Sequence, residues 1–134
     1  MIGGADVILR SRLSPAEALD LCARSIVRHW REAVIQNATT GALYSIYREV
    51  PFGSSPEFMI YRDRAAFDRW EELEADPSNQ NTMVHILSYK ANQTTVVVDD
   101  PAAAEMQTLI CAIRSSLQDK SIRMGVPTIH AEAA

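Results

Sequence analysis

The sequence predicts an α+β fold in which an N-terminal helix is followed by two strand-strand-helix units. The four strands form an antiparallel sheet, and the helices pack on it. Three observations predict this arrangement: a helical apolar period near the N-terminus, two later stretches of two-residue alternation that each contain a turn, and an apolar helical stripe after each stretch. EFMIYRDRAAFDRW and TVVVDDPAAAEMQ both pass from a strand through an aspartate into a helix.

The chain has the size and composition of one globular domain. It has 134 residues, of which 47% are hydrophobic and 22% are charged, enough apolar material for a core. We expect a single α+β domain over residues 14–118, an N-terminal extension over 1–13 and an irregular C-terminal tail over 119–134.

The first helix is predicted from about Pro15 to Ile35. Ser14 is the expected N-cap, Pro15 suits the first helical position, and Glu17 completes the spacing of a capping box. Apolar residues recur at steps of three and four and define the face to be buried: Leu19, Cys22, Ala23, Ile26, Trp30, Ala33 and Val34.

Each of the two units that follow contains two strands and a helix. In the first unit, strands are predicted at 42–50 and 57–63 around PFGSS, and a helix from about Arg64 to Ala75 with Asp63 as its N-cap. In the second unit, strands at 82–89 and 94–99 flank KANQ, and a helix begins at Pro101 with Asp100 as its N-cap. The acidic stretch RWEELEAD is expected to be a solvated helix face.

The strand alternation predicts two apolar faces of the sheet. The face that the helices after the strands cover would carry Tyr44, Ile46, Phe58, Ile60, Val84, Ile86 and Val97. The opposite face would carry Leu43, Tyr47, Met59, Tyr61, Met83, His85, Leu87, Tyr89, Val96 and Val98. Such an apolar face is not left in water, so either a second copy of the chain or the first helix should cover it; we favour the homodimer. The residues expected to bind a partner are Tyr47, Met59, Tyr61, His85, Leu87 and Tyr89.

The charge, the apolar runs and the cysteines of the chain also limit the kinds of partner and the cellular location that we expect. A net charge of −4 and a pI near 5.3 argue against nucleic acid as a partner, which requires a basic surface. No apolar run is long enough for a membrane span, and no stretch has the pattern of a signal peptide. Cys22 and Cys111 form no disulfide framework or CxxC motif and are interpreted as buried hydrophobic residues, which favours a reducing, cytoplasmic location.

No motif for catalysis, cofactor binding or metal binding is present. His29, His85 and His130 are solitary, so no zinc site is expected, and no phosphate-binding or nucleophile motif occurs. Glu49 and Glu57 would form a polar pair if PFGSS closed a symmetric hairpin. No catalytic residue and no cofactor are predicted.

These observations favour a small acidic binding protein that acts through protein–protein interaction, in a chaperone-like, immunity-type or regulatory role. In length, acidity and the alternation of terminal helices with hairpins, the chain resembles bacterial secretion chaperones, which hold a client chain along a dimer. The alternative hypothesis is a small-molecule-binding protein or minor enzyme with a pocket around His85, Tyr47, Tyr61 and Glu57.

Overall fold

The structure is a computed structural model that describes residues 5–123 and 130–133, with side chains described for residues 6–118. The described part contains three α-helices: α1 (Pro15–His29), α2 (Arg64–Glu72) and α3 (Ala104–Arg123). It contains seven strands: β1 (Ala5–Arg10), β2 (Val34–Asn37), β3 (Leu43–Tyr44), β4 (Glu57–Tyr61), β5 (Met83–Lys90), β6 (Gln93–Val98) and β7 (His130–Ala133).

The strands form one antiparallel sheet in the order β3-β2-β4-β5-β6-β1-β7. The predicted α+β class with an antiparallel sheet is confirmed, but the prediction of four strands was too low. It also missed the strand that precedes the first helix. In β1, Val7 and Leu9 are buried while Asp6 and Arg10 are exposed, so this segment has the alternation of a half-buried strand. Its register opposite Val96 on β6 places it inside the sheet.

The first helix ends six residues earlier than predicted. Trp30 leaves helical geometry at φ −107° and ψ 82°, and β2 begins at Val34. Ile35 pairs with Ile60 of β4 and is 1% exposed. The apolar run from 33 to 35 fits both a helical stripe and a buried strand, and pairing with β4 selects the strand.

The strand predicted at 42–50 was also wrong in most of its length. Only Leu43–Tyr44 pairs with β2, and short 3-10 turns follow at Tyr47–Glu49 and Phe52–Ser54. The Tyr47 hydroxyl donates to Asp20 and accepts from Arg24 Nε at 3.1 Å, so contacts with α1 hold this segment away from the sheet. As a result β4 pairs with β2 and β5 rather than in a hairpin with 42–50.

The main core lies between one face of the sheet and the pair α1 and α3. The strands contribute side chains such as Phe58, Ile60 and Ile86, all fully buried, and the helices contribute Leu19, Cys22, Ile26, Met106, Leu109, Ile113 and Leu117. A smaller cluster lies on the other face, where α2 packs Ala66 and Phe67 against Tyr61. We call the face under α1 and α3 the first face and the other the second face.

The helix caps follow the sequence signals at two of three sites. Glu17 N donates to Ser14 Oγ at 3.3 Å, and Ala66 N donates to Asp63 Oδ1 at 2.8 Å, as predicted. At the third site Asp100 accepts from Ala102 N in a turn, and α3 begins only at Ala104.

The C-terminal segment also departs from the prediction of an irregular tail over 119–134. There α3 continues to Arg123, and β7 pairs with β1. Because β1 lies within 1–13, secondary structure extends beyond both ends of the predicted 14–118 domain.

Candidate functional site

The second face carries side chains in rows that cross several strands. One row runs through Gln36, Met59, His85 and Val97, and the next through Glu57, Leu87, Thr95 and Ile8. Within the described residues α2 covers Tyr61 and Met83 and touches Met59, but Ile8, Leu87 and Val97 pack in neither core cluster. All three are only half-buried. We call Ile8, Glu57, His85, Leu87 and Val97 the open patch.

The composition of this face differs from the prediction in β6. Val96 and Val98 are 1% and 2% exposed in the main core, whereas Val97 lies on the open patch opposite His85. The β5–β6 register shifts between Leu87 and Lys90, and the connection is a two-residue turn with Asn92 at φ 72°. A shift of one residue moves every side chain of a strand to the other face. The second face is therefore less apolar than expected.

Glu57 and His85 form the one polar contact within the open patch. Glu57 Oε2 and His85 Nε2 are 3.3 Å apart, and both side chains are 29% exposed. They sit diagonally on neighbouring strands, since His85 is opposite Met59 and Glu57 is opposite Leu87. At this exposure such a pair contributes on the order of 1 kcal/mol or less to stability.

The tyrosines predicted to surround His85 lie in three different environments. Tyr47 contacts α1 on the first-face side of the molecule and stacks near Phe52, with ring centroids 5.8 Å apart. Tyr61 is buried beneath α2, where its hydroxyl donates to Gln36 Oε1 at 3.0 Å. Tyr89 is 64% exposed near the end of β5. The predicted grouping of these side chains around His85 does not form.

Burial and nearby carboxylates act together on the Tyr61 phenol. Burial, followed by the negative charges of Glu71 and Glu74, raises the pKa of Tyr61 to about 12. The hydroxyl therefore stays protonated and continues to donate to Gln36 near neutral pH. This environment suits a structural hydrogen bond rather than an acid or base.

Glu49 does not face Glu57. It lies in the 3-10 turn Tyr47–Glu49, while β4 has β2 and β5 as its neighbours. The symmetric hairpin on which the predicted carboxylate pair depended is absent from the described structure, and Glu57 contacts His85 instead.

Neither cysteine has the environment of a nucleophile. Cys22 is fully buried on α1, and burial raises the pKa of its thiol to about 12. Cys111 is exposed on α3, which corrects the expectation that it is buried. Within residues 6–118 no group of three or more His, Cys, Asp and Glu side chains is arranged to hold a metal ion.

His85 lines none of three surface cavities formed by the described residues. One, of about 250 Å³, lies at the end of α2 and is lined by Trp70, Glu74, Ala75, Asp76, Asn79, Gln80 and Asp99. Sequence reasoning missed this cavity and identified only the acidic run on one of its sides. The other side of the cavity is formed by Asp99, directly after β6. No local sequence pattern predicts that this residue lies near α2.

Comparison with known proteins does not place the chain in a family. No protein-family model matches the chain, and no curated protein and no solved structure is significantly similar to it. In the described residues, no helix combines the length and the apolar character that crossing a bilayer requires.

Proposed function

We propose that this protein functions by binding protein, through the open patch, and that the occupant of the patch is a second copy of the same chain. The observation that carries the proposal is that Ile8, Leu87 and Val97 are half-buried on the second face but belong to neither core cluster. Neighbouring apolar side chains that no element of the described residues covers are characteristic of an interaction surface.

The polar residues of the patch support a partner of the same sequence. A two-fold interface brings identical surfaces together. Each polar or charged group on one copy must therefore find its complementary group on the same surface of the other copy. Glu57 and His85 lie 3.3 Å apart on the patch. In a face-to-face pair, His85 of each copy would be close to Glu57 of the other, and the apolar residues would meet around them.

The face supports this role better than the β3 edge of the sheet. The β3 edge consists of only two residues, Leu43 and Tyr44, which offers few backbone groups for an added strand. The open patch, by contrast, spans four strands, from β4 through β5 and β6 to β1.

The experiment is a measurement of mass in solution, by light scattering or sedimentation. The chain has a mass of 14.9 kDa, and we expect a species of about twice that mass at about 100 μM, shifting toward the monomer on dilution. Leu87→Glu places a carboxylate at the centre of the patch and should weaken dimerisation at least about tenfold.

Ile46→Glu is the control, because it makes the same kind of change at an apolar residue outside the patch that is more exposed than Leu87, at 55%. It should leave the mass unchanged. A wild-type protein that stays monomeric at high concentration, or an Ile46→Glu effect as large as that of Leu87→Glu, would contradict the proposal.

A further inference from the structure

The cavity at the end of α2 has an unusual balance of charge. Of the seven residues that line it, Glu74, Asp76 and Asp99 are acidic and none is basic. Asp76 accepts from Ser78 Oγ at 2.7 Å and from Ser78 N at 2.8 Å, and these bonds lower the pKa of its carboxyl. The charged groups of the lining itself are therefore all negative, and Arg69, which also acts on Asp76, lies outside the lining.

Three buried oxygen acceptors lie in this region without a donor from the described protein. Asn79, which lines the cavity, is 1% exposed; its Nδ2 donates to the Leu73 carbonyl at 2.6 Å, and its Oδ1 accepts nothing. Asp99 Oδ2 accepts from Asn81 N at 2.7 Å, while Asp99 Oδ1 and Asn81 Oδ1 have no described donor. A buried acceptor without a donor is unfavourable, so the two on lining residues, Asn79 Oδ1 and Asp99 Oδ1, favour a ligand that supplies donors.

The remaining wall adds an aromatic surface. Trp70 lines the cavity, and its Nε1 donates to Thr82 Oγ1 at 2.8 Å, which holds the indole ring in place. An indole face attracts cations, and it also stacks well against a planar guanidinium group. The carboxylates, the free acceptors and the ring therefore favour the same kind of ligand.

We propose that this cavity binds an alkylguanidinium group, carried either by a small molecule or by an arginine side chain. A guanidinium is always charged and offers five N–H donors in one plane, which matches acidic walls with unfilled acceptors. The volume of about 250 Å³ lies below the range of sites for drug-sized ligands and suits a single functional group. This site does not depend on the dimer proposed above.

The test uses the two tryptophans of the chain, Trp30 and Trp70, as internal probes. Trp30 donates to Glu105 and does not line the cavity. On titration with n-butylguanidinium, we expect the indole N–H resonance of Trp70 to shift and that of Trp30 to stay in place. n-Butylammonium should bind several-fold more weakly, and tetramethylammonium, which has charge but no N–H donor, at least about tenfold more weakly.

Two neighbouring aspartates provide a matched pair of variants. Asp99→Asn removes one charge from the cavity while keeping an oxygen for Asn81 N, and should weaken n-butylguanidinium binding by about tenfold. Asp100→Asn makes the same change in net charge at an exposed residue outside the lining, and should change the affinity less than about twofold. Glu74→Gln, at an exposed lining position, gives a second loss of affinity that does not depend on the packing of Asp99.

A glycine-flanked arginine peptide distinguishes the two sources of the group. Affinity for the peptide at least about tenfold higher than for n-butylguanidinium identifies a partner's side chain; equal or weaker affinity identifies a small molecule. The proposal is overturned if Trp70 does not respond to n-butylguanidinium, if tetramethylammonium binds equally well, or if Mg²⁺ or Ca²⁺ binds there instead. It is also overturned if Asp99→Asn and Asp100→Asn have the same effect.

Discussion

Raising the pH should destabilise this protein in part through one buried thiol. Cys22 is 0% exposed, and its pKa is raised from 9.0 to about 12 by burial. A raised folded-state pKa contributes stability that is fully present below the unfolded pKa and is lost as the pH rises toward the folded one. Between about pH 9 and 12 the unfolded chain has released the proton that the folded chain still holds, so increasing pH favours unfolding.

The size of the effect follows from the width of this window. Each pH unit between the two pKa values costs about 1.4 kcal/mol, so the whole window is worth about 4 kcal/mol. At about pH 10 the loss is roughly 1 kcal/mol, a noticeable part of a total stability that is typically 5–15 kcal/mol.

The assay is urea unfolding of the wild type and of Cys22→Ala at about pH 8 and pH 10. The free energy of unfolding of the wild type should fall by roughly 1 kcal/mol more than that of the variant over this interval. The pKa of Tyr61 is also raised, but Tyr61 is present in both proteins, and its contribution cancels in the difference. Cys111→Ser should keep the wild-type dependence on pH, because Cys111 is exposed. An equal pH dependence in the wild type and Cys22→Ala would refute the reasoning.

Three further predictions test local structure. In the folded protein a disulfide reagent should modify Cys111 rapidly and Cys22 slowly, and Cys111→Ser should lose the fast phase; two fast thiols would show that Cys22 is accessible. Asp63→Ala should lower the free energy of unfolding by about 1 kcal/mol, because Ala66 N loses its acceptor, whereas Asp63→Asn should stay near the wild type in the same denaturation measurement. Tyr47→Phe should also cost about 1 kcal/mol, without a change in solution mass, because its hydroxyl contacts α1. A mass change with unaltered stability would place Tyr47 at an interface instead.

Local sequence was sufficient for the α+β class, two helix starts and the burial pattern of two central strands. Ser14 and Asp63 cap α1 and α2 as predicted because a capping bond joins residues three apart, within reach of a local pattern. Phe58, Ile60, Val84 and Ile86 are buried on one face, as their alternation predicts. These features depend on neighbours along the chain.

The remaining features were decided by contacts between distant segments. Val34–Asn37 is a strand because β4 pairs with it. Ala5–Arg10 lies inside the sheet because β6 pairs with it. The placement of Val97 on the open patch depends on a register shift in the β5–β6 pair. The cavity at the end of α2 exists only where Asn79 meets Asp99, twenty residues later. Three things depend on contacts between segments that are far apart in the sequence: strand pairing, strand register and the supply of hydrogen-bond donors. Only the tertiary structure could therefore determine them.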